Sequence, residues 1–124
     1  MLRRSSDSVK ISWFDYESVW KAVGRFAEEL LSRFDEVERI IVFGSLARGE
    51  SVPGSDVDLL IILRESHLPF PDRIPIFMPR EPFPVAVDGF PYTADEIERM
   101  LREGNWFIKR ALEEGIVVAE REMK

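Results

Sequence analysis

An α/β domain of the α+β kind, with one mixed sheet packed by helices, is what this sequence predicts from three observations. Val19, Trp20, Val23, Phe26, Ala27, Leu30, Leu31 and Phe34 recur at three- and four-residue steps, the period of a single helix face. Two apolar runs, Ile40 to Phe43 and Val57 to Leu63, are too short for helices and read as strands. A short alternating run at Pro84 to Gly89, two more helical stretches and a last apolar run follow, which gives the order α-β-β-β-α-α-β and one mixed sheet. The 124 residues suit one domain, 1–124, with a core large enough to need no metal or disulfide staple.

Taken in order, the first helix runs from about Asp15 to Phe34, and Asp15 can cap it by accepting from the first free N–H groups. Ile40 to Phe43 is a short strand rich in β-branched residues. Gly44 to Ser55 is a glycine-containing loop with room for one helical turn at Ser45 to Arg48. Val57 to Leu63 is apolar on both faces after Asp58, which places it centrally in its sheet. Six prolines between Pro69 and Pro84 exclude a long helix and leave a short turn of helix near Asp72 to Phe77. Pro84 to Gly89 alternates as a third strand. Thr93-Ala-Asp-Glu96 has capping-box spacing and opens a helix through Ile97, Met100 and Leu101 that ends at Gly104. Asn105 or its neighbour starts another through Phe107, Ile108, Ala111 and Leu112, closed by Gly115, and Ile116 to Ala119 is the final strand.

Composition narrows the function. Seventeen basic and twenty-three acidic residues give a net charge of −6, which excludes nucleic-acid binding over a broad basic surface. There is no cysteine and only one histidine, His67, so cysteine-based zinc sites and His-rich metal sites are excluded. No apolar run approaches the roughly 20 residues of a membrane span, and MLRRSSDSVK has basic residues without an apolar stretch behind them. A soluble, cytoplasmic protein is the expectation.

Chemistry concentrates in IVFGSLARGES and the residues just after it. Gly44 and Gly49 have nearly the spacing of a P-loop, but Glu50 stands where that loop needs a lysine. Five residues beyond Ser51 comes Asp56-Val57-Asp58. Strand side chains alternate faces, so the two carboxylates point the same way, on a face that turns apolar at Leu60 and Ile62. Like charges beside a core repel and lose hydration, which raises the pKa of at least one. A divalent cation reverses that cost, and magnesium typically takes one or two carboxylates together with substrate phosphates. Gly44 allows backbone N–H groups close to phosphate oxygens, and the Ser45 hydroxyl adds a donor. By themselves, Pro-Gly-Ser-Asp is also an ordinary turn and Asp88-Gly89 another.

The stretch GSLARGESVPGSDVDLLIIL, Gly44 to Leu63, resembles the signature of the DNA polymerase beta-type nucleotidyltransferase superfamily, and within it the minimal nucleotidyltransferases (MNT). The likeness continues through VAVDGFPYTADEIERM to ALEEGIVVAE, most of the chain. It implies a polymerase beta-like fold and a metal-dependent transfer of NMP, from ATP or another NTP, to an acceptor hydroxyl. It implies Gly44 and Ser45 as triphosphate ligands and Asp56, Asp58 and Asp88 as the catalytic carboxylates, with Asp88 activating the attacking hydroxyl; Arg48 reads either as a further triphosphate contact or as a solvated loop arginine. The three carboxylates would hold two magnesium ions, or manganese in their place. It further implies a HEPN-domain protein as partner and acceptor, the chain acting as the antitoxin of a toxin–antitoxin pair. The proline-rich stretch departs from the helix that many superfamily members carry between the second and third strands.

Two other readings stay open: a non-catalytic module that neutralises a partner by contact, and a transferase acting on a small-molecule alcohol. An oligomer is also open. Lys109 and Arg110 read as surface charges and His67 as a loop residue. Trp13, Trp20 and Trp106 fit core or partner contacts better than base stacking. The apolar Pro69 to Pro84 segment either offers a partner surface or folds over the sheet.

Overall fold

A computed structural model describes residues 13–122; the N-terminal stretch MLRRSSDSVK lies outside the described residues. Five helices and four strands alternate as α1 (Tyr16–Arg33), β1 (Val37–Phe43), α2 (Ser45–Arg48), β2 (Val57–Leu63), α3 (Phe70–Arg73), β3 (Val87–Thr93), α4 (Ala94–Arg102), α5 (Trp106–Glu114) and β4 (Ile116–Glu120). The sheet order is β3-β2-β1-β4, with β2 and β3 parallel and the other pairs antiparallel. This is the mixed sheet the sequence predicts, with β2 inside it.

Each face of the sheet is covered by different helices. On one, Val19, Val23, Phe26, Ala27 and Leu30 of α1 pack on Ile40, Val42, Leu59, Ile61 and Leu63. On the other, Ile97 of α4 and Ile108 and Ala111 of α5 pack on Ile41, Phe43, Leu60 and Ile62. The two-residue alternation of β1 and β2 makes both sets possible at once, which is why these central strands read as continuous apolar runs.

Local rules account for the element ends. The Asp15 side chain accepts from the Ser18 N–H at 3.1 Å and caps α1. Thr93 and Glu96 form the reciprocal capping box of α4, and the Asn105 side chain caps α5 from the Ile108 N–H.

Three boundaries differ from expectation. β1 starts at Val37 rather than Ile40, because a register shift between Val37 and Arg39 interrupts the alternation that marks a strand in sequence. The turn of helix in the proline-rich segment is Phe70–Arg73 rather than 72–77. Pro71 is tolerated in a first turn, whereas Pro75 cannot sit in a helix interior and ends it. The third strand is Val87–Thr93 rather than 84–89 and runs through Pro91. β3 is an edge strand, where a proline is tolerated: Pro91 stands in register with Ile61 of β2, and its carbonyl accepts from Arg73 at 3.0 Å. The proline-rich segment itself folds over the sheet: Phe77 is buried in the α1-side core, and Met78 and Phe83 pack against it.

Candidate active site

The end of β1 and the starts of β2 and β3 lie side by side, and register decides what meets there. Phe43 pairs with Asp58 across the antiparallel β1–β2 ladder, and Asp58 pairs with Asp88 across the parallel β2–β3 ladder. Partners in register point to the same face, on strands about 4.8 Å apart. Asp58 shares its face with Leu60 and Ile62, which pack under α5; Asp88 shares its face with Phe90 and Tyr92. The chain reaches Asp56 through a turn in which Val52 and Ser55 bond reciprocally at 2.9 Å and Gly54 adopts φ +93°.

Gly44 follows β1 directly. Its φ is +78°, and a Cβ added there would run into the Asp58 carboxylate, so only glycine fits. The Ser45 hydroxyl stands 3.2 Å from that of Ser51, which is buried beneath the loop. Glu50 turns away to pair with Arg48 Nε at 2.8 Å.

Gly44, Ser45, Arg48, Asp56, Asp58 and Asp88 therefore line one cleft of about 540 Å³, within the range of small-molecule sites. Its far wall is α5, through Trp106, Phe107, Arg110 and Glu114. Phe43 and Phe107 of the cleft lining meet Phe90 in one aromatic cluster, with ring centroids 5.3 to 5.7 Å apart. Burial first, then the charges of Asp88 and Asp56, push the Asp58 carboxyl up to about 6.

Three α5 residues were not legible as part of this cleft. Glu114 accepts the Gly44 N–H at 2.8 Å and takes Arg48 Nη1 at 3.0 Å. Burial alone would raise the Glu114 carboxyl, but the donors on Gly44, Arg48 and Arg110 together outweigh it and hold it below the usual range. Arg48 thus meets carboxylates on both sides. Trp106 and Arg110 stand at the cleft mouth, and Trp106 is not a core residue. The available signal was the four-residue spacing of 106, 110 and 114, opposite the buried Ile108 and Ala111 on α5. What α5 covers has no signature in sequence.

A family model for the nucleotidyltransferase domain matches residues 23–118. The chain belongs to the nucleotidyltransferase-domain family. This agrees with the resemblance carried by Gly44 to Leu63, and it makes nucleoside monophosphate transfer the class of reaction. One of nine matching chains of known structure is a Sulfolobus solfataricus protein described as a candidate nucleotidyltransferase, 23% identical over 86% of this chain and 84% of its own, with a TM-score of 0.62. At that identity the likeness shows the fold, and it is the same fold. No curated protein matches the chain.

Does the nucleotidyltransferase's cleft suit a divalent cation? Among the described residues no three acidic or histidine side chains close up into a ready cage. The donor chemistry nevertheless fits an ion shared with a substrate, since Asp58 carries a charge that its burial and its acidic neighbours oppose. No helix among the described residues is long and apolar enough to cross a membrane.

Proposed function

We propose that this protein is a metal-dependent nucleotidyltransferase that moves AMP from ATP to an acceptor hydroxyl. The observation that carries the reading is the in-register pairing of Asp58 with Asp88 beside Gly44. Gly44 and Ser45 would hold the triphosphate, with Arg48 beside them. Asp56, Asp58 and Asp88 would hold two magnesium ions, or manganese, which when bound acidify the acceptor hydroxyl and offset charge on the departing pyrophosphate. The hydroxyl oxygen attacks the α-phosphorus, the bond to the β-phosphate breaks, and pyrophosphate leaves. The hydroxyl proton passes to Asp88, the carboxylate to which the resemblance gives activation of the attacking hydroxyl.

The acceptor belongs to this same proposal. The resemblance to minimal nucleotidyltransferases supports a cytoplasmic HEPN-domain protein as partner, modified on a hydroxyl and thereby neutralised, with this chain as antitoxin. The test is to incubate protein, magnesium and co-purified partner with ATP labelled on either the α- or the γ-phosphate. The expected result is α-label on the partner and no γ-label. Neutralisation of the partner without any label transfer would make the chain a binding module instead.

A further inference from the structure

Helix α5 carries a row of side chains that this mechanism leaves unused. Trp106, Arg110 and Glu114 stand four residues apart, hence on one helix face, each about 6 Å further along the axis. The Arg110 guanidinium lies 6.0 Å from the Trp106 ring centroid, and its Nε lies 3.4 Å from Glu114. All three line the cleft of the carboxylates and also a second concavity of about 400 Å³ beside it. The row has two different ends. At one, Glu114 sits on the Gly44 N–H and the Arg48 guanidinium, donors that suit a phosphate oxygen as well as a carboxylate. At the other, the Trp106 indole is 68% exposed at the mouth of a cleft and belongs to neither apolar core.

We propose that Trp106 is the platform on which the nucleobase of a nucleoside triphosphate stacks. The ligand lies along α5, its phosphates take the donors that Glu114 now holds, and its base covers the indole. Every base presents a π-face, so such a platform binds the nucleoside without hydrogen-bond readout. The proposal rests on the nucleotidyl-transfer reading of the cleft, and its test separates the two.

Binding of ATP and of inorganic tripolyphosphate, each with magnesium, is titrated calorimetrically on the wild type, Trp106→Ala and Trp106→Phe. Trp106→Ala is expected to weaken ATP by about tenfold to a hundredfold and to leave tripolyphosphate within about twofold. Trp106→Phe, which keeps a ring, should hold ATP within about threefold of wild type. Equal losses for both ligands, or no loss for ATP, overturn the platform. An unchanged ATP titration with lost partner capture also overturns it and assigns Trp106 to a protein contact. A wild type that binds neither ligand defeats the nucleotide reading of the whole cleft, and the platform with it.

Discussion

At Asp58 the site's demands and the fold's demands oppose each other. Its carboxyl titrates at about 6 in the folded protein and near 4 in an unfolded chain. Between those values the folded state holds the extra proton, so stability falls as pH rises through the window. Without metal, Asp58→Asn should therefore stabilise the protein at pH 7 by about 1–2 kcal/mol, with the gain vanishing below about pH 4. Urea denaturation in chelator at the two pH values measures this, and a destabilised variant at pH 7 would refute the cause assigned to the shift. How far single residues were legible follows from the same physics. Asp56 and Asp58 stood out because strand periodicity puts them on one face, and Gly44 because a backbone that close to another group needs glycine. Glu114 did not, since its partners Gly44 and Arg48 lie 70 and 66 residues away in the chain.

Among the elements, the helices were the most legible and the proline-rich crossover the least. Capping residues fixed the starts of α1, α4 and α5 because a cap is a contact over three residues. The strand β3 was misplaced because its extent depends on being an edge, and edge position is a property of the sheet. One long-range contact ties the crossover to the site's framework. Arg73, buried to 4% exposure, pairs bidentately with Glu96 at 2.7 and 2.9 Å and also donates to the Leu68 and Pro91 carbonyls. It thereby joins α3 to the β3–α4 corner. Hydrogen bonding from Arg73 chiefly holds Glu96 at about 2, below the usual carboxylate range. A depressed carboxylate stabilises the fold fully above about pH 4.5, and that contribution is lost as pH falls toward 2. Arg73→Ala should cost about 3–5 kcal/mol at pH 7 and much less near pH 2, because it leaves Glu96 half-buried without its partner. Chemical denaturation across that range checks it; an equal loss at both ends would mean that packing, and not the ion pair, carries Arg73's contribution.

For the whole molecule, two helical layers on one four-stranded sheet leave a single row of strand ends where β1, β2 and β3 meet, and the three candidate carboxylates collect there. With a net charge of −6, a protein of this kind gains little from long-range attraction to nucleic acid. The fold class was legible because layer architecture follows from element order and apolar period. The cleft's far wall was not, because which helix roofs the acids is decided by packing across the sheet. The central claim is that these carboxylates perform nucleotidyl transfer, and pyrophosphate release from ATP tests it most directly. With magnesium and partner present, the wild type should release pyrophosphate in step with α-label transfer, and Asp58→Ala/Asp88→Ala should release less than about one hundredth as much. Release that continues at the wild-type rate in the double variant would contradict the claim.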